Sequence, residues 1–303
     1  MKHILITGGT GFIGWKLYNS LIKDNYVVVL SKSKKQDREP FVLINKDIND
    51  ISEIDLIGID EVYHLASTVD NYNIQTDPYL DVNVNINGTI ALLEACRKVN
   101  SNIPIVYVST FFVHGNPTIL PATPNEKPEP LGLYGSTKLC AEHICKTYNR
   151  VYNMNIKIVR LSNVYGVGDQ YQNNKKSAFS RMIYLAYKNE PINLYDGGVI
   201  RRDYIYVDDV VSALKTVMEL GSNSEIYYIG NGIGVRFIDL VNTIVRIVGG
   251  SVKNIPSPVF HKQVGIDDFW CDITPLKLLG WKPKINIEYG IKLTADDIRG
   301  QCE

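Results

Sequence analysis

The chain opens on a short apolar run, His3 to Thr7, and a second apolar run follows at Tyr26 to Leu30. Between them lie a glycine turn and a segment whose apolar positions Leu17, Leu21 and Ile22 fall at helical spacing. A strand covered on both faces reads as a continuous apolar run, so this is strand, turn, helix, strand, the opening of a right-handed βαβ unit. The alternation continues. Strands are predicted at Glu61–Ala66, Ile103–Ser109 and Ile156–Leu161, and helices at Val82–Val99 and Tyr134–Tyr152. That order predicts an α/β protein with a Rossmann-type, doubly wound parallel sheet.

After about Asn163 the pattern loosens. Helical patterns remain at Ser177–Lys188 and Asp209–Leu220, with a strand at Asp203–Val207, and Thr243–Val248 belongs to a helix that begins near Phe237. Pro117–Gly135 and Gly249–Pro258 are rich in Pro, Gly and Asn and read as loops. The expected organisation is a dinucleotide-binding domain over 1–165 and a smaller, less regular substrate lobe over 166–303. Some later segments are expected to be able to return to the sheet.

Composition narrows the partners. The 303 residues carry 32 Lys plus Arg against 32 Asp plus Glu, so the formal charge is zero and a nucleic-acid backbone is not the expected partner. The five cysteines form no CxxC pair and are odd in number, which argues against a disulfide framework or a cysteine metal site. No run of 18 apolar residues is present and no leader pattern precedes the first strand, so a cytoplasmic address with no membrane span is expected.

The glycine turn reads Gly8-Gly9-Thr10-Gly11-Phe12-Ile13-Gly14. Gly8 lets the chain turn off the strand, Gly11 lets backbone approach a pyrophosphate, and Gly14 lets the helix lie close to the strand. The helix N-terminus then offers unpaired N–H donors to phosphate. The same spacing also serves an ordinary structural turn. At the end of the second strand a carboxylate for a ribose 2′-hydroxyl is the usual mark of NAD binding. Here the residues are Ser31-Lys32-Ser33-Lys34-Lys35, with no carboxylate. Hydroxyl and ammonium groups suit a 2′-phosphate, so NADP(H) is favoured over NAD(H). The plainer alternative is a solvated basic loop.

Tyr134 and Lys138 stand four apart in a predicted helix and so share one face. A phenol near ~10 is a poor base at neutral pH, and a nearby cation moves it toward a useful range. Ser109 and Thr110 sit at the carboxyl end of a strand, the edge where such sheets bind ligands, and Thr110 is placed to bond a reacting oxygen.

Taken together these motifs resemble the extended short-chain dehydrogenase/reductase family, of the NAD-dependent epimerase/dehydratase type. The resemblance runs over nearly the full chain. It is carried by Thr7–Gly14, Asp47-Ile48, His64–Ser67, Asn83–Thr89, Tyr107–Thr110, Tyr134 with Lys138, Arg160–Gly166, Arg202–Asp209 and Leu279–Pro283. It implies an enzyme acting on a nucleotide-linked sugar, with Thr110, Tyr134 and Lys138 as catalytic trio. It implies cofactor contacts from Gly8, Gly11, Phe12, Ile13, Gly14, Ser31, Lys32, Asp47, Ile48, Leu65, Ala66, Ser67, Asn83 and Ser109, with Tyr134 and Lys138 again. Asn163 and Arg202 would hold the diphosphate of the substrate. A homodimer is implied, paired through the helices at Val82–Val99 and Tyr134–Tyr152.

Two departures bear on the reaction. Sugar-nucleotide 4,6-dehydratases of this type carry Asp-Glu after the threonine, whereas Phe111-Phe112 stands here and has no proton to transfer. The basic loop at Lys32 leans toward NADPH-dependent reduction of a 4-keto-deoxysugar nucleotide. The alternatives are a 4-epimerase with tightly bound NAD and a non-catalytic cofactor-binding scaffold. His114 is either a substrate contact or a structural imidazole.

Overall fold

The computed structural model describes residues 1–33, 40, 42–69, 73–172 and 178–302. Lys34, Lys35 and Ser177 lie outside the described residues. The strands in chain order are β1 His3–Thr7, β2 Tyr26–Leu30, β3 Val42–Ile44, β4 Glu61–His64, β5 Ile105–Thr110, β6 Ile156–Leu161, β7 Asn163–Tyr165, β8 Pro191–Tyr195, β9 Arg201–Arg202, β10 Tyr204–Tyr206, β11 Ile226–Ile229, β12 Val235–Arg236 and β13 Ser251–Ile255. The longer helices are α1 Phe12–Leu21, α2 Gly88–Asn100, α3 Leu133–Tyr152, α4 Ala178–Tyr187, α5 Val207–Leu220, α6 Phe237–Val248 and α7 Ile287–Cys302.

Seven strands form the main sheet in the order β11-β6-β5-β4-β1-β2-β3. β1 pairs in parallel with β2 on one side and β4 on the other, and β4 pairs in parallel with β5. Chain order therefore reverses direction at β1, the switch point where open α/β sheets bind ligands beyond the strand ends. The register sets the level of the chemistry. Thr7 lies opposite His64 and His64 opposite Tyr107, so Val108, Ser109 and Thr110 extend past the paired part of β4. All residues of β5 and β6 are buried, as a strand covered on both faces requires.

Contacts divide the chain into two compact units. The first comprises Met1–Val113, Gly132–Arg160 and Val211–Tyr227. Its core joins Leu5, Val28 and Val62 of the strands to Leu92 and Cys96 of α2 and Ala141 and Cys145 of α3. Glycines permit its tightest approaches. Gly8 has φ +71, and a Cβ there would stand 2.8 Å from the Ala66 nitrogen. At Gly14 a Cβ would stand 2.5 Å from the Gly8 oxygen, so only glycine lets α1 leave the strand this closely.

The second unit comprises His114–Leu131, Leu161–Val210 and Tyr228–Glu303. It holds three short pairings: β7 with β10 in parallel, β8 with β13 in parallel and β9 with β12 antiparallel. An aromatic cluster supports them, with Phe179 stacked on Tyr165 at 3.9 Å and edge-on to Tyr204 at 5.3 Å. Asp203, fully buried, is the polar clamp of this unit. It accepts from the nitrogens of Asn231 at 2.7 Å and Gly232 at 2.9 Å, and from the Cys271 thiol at 3.2 Å.

Several element boundaries differ from the sequence expectation for identifiable reasons. The strand predicted at Glu61–Ala66 ends at His64. The segment expected to begin a helix at Val82 is a π-helical turn over Val82–Asn87, and regular α-helix starts at Gly88. Gly249–Pro258 was expected to be loop, but Ser251–Ile255 pairs with β8 along five residues. β11 returns late in the chain to the edge of the main sheet.

Candidate active site

Thr110 ends β5, and Tyr134 and Lys138 occupy the first turns of α3. Thr110 is 7% exposed, Tyr134 9% and Lys138 1%, so all three are withdrawn from bulk water. Burial pushes the Tyr134 phenol up to about 12, opposed by its hydrogen bonds with Ser67 and Thr110, while the Asp81 carboxylate adds to the rise. Tyr134, Thr110 and Ser67 thus form one cluster at the carboxyl end of the sheet. Phe112 stands edge-on to the Tyr134 ring at 6.1 Å.

Lys138 reaches the strand instead. Its Nζ donates to the Val108 carbonyl at 2.7 Å and lies 4.3 Å from the centre of the Tyr107 ring. Burial lowers this ammonium to about 7, opposed by the charges of Glu142 and Cys145. Beneath it His64 is held neutral: burial first, then the Lys138 charge, lowers it to about 3. Its ring nitrogens bond the hydroxyls of Thr7 at 2.7 Å and Thr89 at 3.1 Å. Thr7 also accepts from the Ala66 N–H at 3.2 Å, which fixes the turn after β4.

The glycine turn fits a dinucleotide. The α1 N-cap is Gly11 with no side-chain cap, and its first turn has no acidic residue. The donors of that turn therefore carry neither a capping oxygen nor a repelling carboxylate. A Cβ on Gly11 would meet only the Gly8 oxygen, at 3.0 Å, and would otherwise fill the cradle itself. Gly11→Val is therefore expected to leave a folded protein that retains dinucleotide at least about tenfold more weakly, a loss of ~1.4 kcal/mol. Calorimetric titration checks this, and unchanged affinity would remove Gly11 from the cradle. Phe12 and Ile13 are half-buried at the start of α1.

The remaining predicted residues divide. Ser31 is buried and bonds Thr10 at 2.7 Å. The Ser109 hydroxyl is turned into the protein, 2.5 Å from Glu142 Oε1. Asn83 is exposed and accepts from Asn87 at 3.2 Å. The buried asparagine of that segment is Asn85. It accepts from Ser67 Oγ at 2.9 Å and the Thr68 nitrogen at 3.1 Å, and donates to Thr68 at 2.8 Å and Thr137 at 3.1 Å. The π-helical turn, a form often found at functional sites, puts it there. Leu65 donates its N–H to the Thr7 carbonyl at 3.1 Å. Ile48 is buried against Gly88, where a Cβ would stand 2.4 Å from its Cγ2.

In the second unit Asn163 donates from Nδ2 to the Asp203 carbonyl at 2.9 Å. The guanidinium of Arg202 donates to the carbonyls of Arg201, at 2.9 Å, Ile266 and Asp267. His114 is buried between the Tyr228 hydroxyl, at 2.8 Å, and Glu126, at 3.0 Å. Those contacts tie the 114–126 loop to Tyr228.

A profile of the NAD dependent epimerase/dehydratase family matches residues 4–230. The chain belongs to this family, whose members are enzymes. A protein of Methanocaldococcus jannaschii, provisionally named a UDP-glucose 4-epimerase, is 32% identical over 297 residues, covering 95% of this chain and 96% of that one. Among solved structures, a UDP-glucose 4-epimerase of Thermotoga maritima with UDP-glucose superposes with a TM-score of 0.91 at 29% identity, covering 99% of this chain and 100% of that one. A UDP-glucuronic acid 4-epimerase of Bacillus cereus, in complex with UDP-glucuronic acid and NAD, gives 0.87 at 27% identity, covering 99% of both chains.

These likenesses correct the cofactor expectation. NADP(H) was favoured because the segment after β2 has no carboxylate, yet the Bacillus cereus neighbour holds NAD. The structure supplies the physical reason. Lys32 Nζ lies 3.4 Å from Asp47 Oδ2, so a carboxylate reaches this corner from the end of β3. The Asn49 backbone N–H, then its side chain and Lys32, hold the Asp47 carboxyl below its ordinary range, while its partial burial opposes them. The ammonium read as a phosphate ligand thus already faces an anion. Among the described residues no helix is long and apolar enough to cross a membrane, and no cluster of three or more His, Cys, Asp or Glu could hold a metal.

Proposed function

We propose that the chain is a 4-epimerase of UDP-linked hexoses that works with NAD, the alternative to net reduction of a 4-keto-deoxysugar. The observation that carries this reading is the full-length likeness to a UDP-glucose 4-epimerase bound to UDP-glucose. The Lys32–Asp47 pair supports it, because the case for a reductase rested on a carboxylate-free corner. Phe111 and Phe112 support it as well, since neither side chain can move a proton for water elimination.

A nicotinamide, when bound, supplies the hydride acceptor and donor at the sugar carbon. The protein handles the proton. Thr110 orients the C4 oxygen and Tyr134 exchanges its proton. A phenol held at about 12 keeps its own proton at neutral pH, so service as a base requires a positive field. Lys138, one turn along the same helix face, is the cation assigned to that task. We assign the adenine end to Asp47 and Ile48, the phosphate groove to residues from Leu65 to Ser67, and the substrate diphosphate to Asn163 and Arg202. A guanidinium fork suits paired phosphate oxygens. The same reading makes the enzyme a cytoplasmic homodimer paired through α2 and α3.

The test is turnover of UDP-glucose by purified protein with no added cofactor, followed by NMR. Conversion to the C4 epimer, with NAD released on denaturation, is expected. No conversion of UDP-glucose, with NADPH-dependent reduction of a 4-keto-deoxysugar nucleotide instead, would overturn the proposal.

A further inference from the structure

Glu142 is 2% exposed and lies one helical turn beyond Lys138 on α3. A buried carboxylate needs partners, and here two strands supply them. Arg160 of β6 forks onto it, Nε to Oε1 at 3.0 Å and Nη2 to Oε2 at 2.8 Å. From β5 the Ser109 hydroxyl donates to Oε1 at 2.5 Å. Lys138 meets the same strand one residue earlier, at the Val108 carbonyl. α3 is thus fastened to β5 by two consecutive polar contacts immediately before Thr110.

We propose that Glu142 is the positioning residue for Lys138: anchored by Arg160 and Ser109, its carboxylate holds α3 against β5 at the level of Thr110, one helical turn from the lysine. The proposal rests on the catalytic reading of Tyr134 and Lys138, and Glu142 itself touches no reacting atom. Other groups facing Lys138 are Tyr107 from β5, His64 from β4, and Cys145 from α3 itself. Asp81, from the turn before the π-helical segment, acts on Tyr134. His64 is neutral, Cys145 is held as a thiol because burial pushes it well up, and Arg160 is committed to Glu142. The Glu142 charge is the larger of the two that oppose the burial of Lys138. Without that charge Lys138 releases its proton at lower pH, and the field needed at Tyr134 is lost across the neutral range.

The test follows the Lys138 ammonium by nitrogen-15 NMR of lysine-labelled protein, with Lys138→Met to assign the signal. Glu142→Gln is the simple variant, but it sets a neutral amide against the buried Arg160 guanidinium. The paired variant Glu142→Leu with Arg160→Met removes both charges and keeps the volume filled, a replacement that buried ion pairs commonly tolerate. The Lys138 midpoint is expected to fall by about one unit or more in Glu142→Gln, where the negative charge alone is removed. The alkaline limb of the kcat profile should move down with it, while KM changes little. An unchanged midpoint in folded Glu142→Gln would overturn the proposal, as would an unaltered kcat in the paired variant, which lacks the anchors to Ser109 and Arg160. If the unaltered protein fails to epimerise, the functional proposal falls while the midpoint still reports on Glu142.

Discussion

Tyr134→Phe is expected to leave a folded protein whose turnover of a UDP-hexose is about 10²–10⁴-fold lower, the range a positioned acid–base group contributes. The ring stays, and with it the edge contact to Phe112. What goes is the hydroxyl shared with Thr110 and Ser67. Its loss removes the only atom of that side chain able to exchange a proton. Stability should change by no more than ~1 kcal/mol, the net worth of an ordinary hydrogen bond. Stopped assays give kcat and KM separately, and the drop should fall on kcat with KM near that of the unaltered enzyme. Near-normal kcat would take Tyr134 out of the mechanism.

Arg160→Met alone should cost stability on the order of 3–5 kcal/mol, the usual penalty for stranding a buried charge. Arg160 and Glu142 are each 2% exposed, and removal of the guanidinium leaves the carboxylate with Ser109. Surface pairs behave otherwise. Arg236–Asp239, at 2.6 Å but about half exposed on each side, should contribute little, because solvent screens it. Adding Glu142→Leu to Arg160→Met should restore most of the loss, because the remaining charge is then gone as well. Urea unfolding of the three proteins measures this. A mild effect from Arg160→Met alone would mean that water or another group satisfies Glu142.

The fold was legible where periodicity is strong. Beyond their first residues β1 and β2 are buried along both faces, and an apolar run in sequence states that directly. β3 has three residues and β9 and β12 two each, too few for any period to emerge. β13 is exposed over most of its length, so its pairing with β8 rests on backbone bonds that composition does not reveal. The site divided along the same line. Tyr134 and Lys138 stand four apart on one helix, so their shared face was readable in sequence. The neutralisation of Lys32 by Asp47 joins residues 15 apart in the segments that follow two strands, and the apparent absence of a carboxylate misdirected the cofactor assignment. The Val82–Asn87 segment is a π-helical turn in which Asn85 is buried and Asn83 exposed, a detail that periodicity does not reveal. Glu142 left one readable signal, an acid at i+4 from Lys138, but its partners come from distant strands.

The proposed reaction inverts C4 by removal and return of the same hydrogen, with Tyr134 moving only the proton of the hydroxyl. UDP-glucose labelled with deuterium at C4 tests it most directly, in ordinary water with no added cofactor. The account predicts a C4 epimer that keeps its deuterium at C4. Loss of the label to solvent, or no C4 epimer unless a cofactor is supplied, would contradict it.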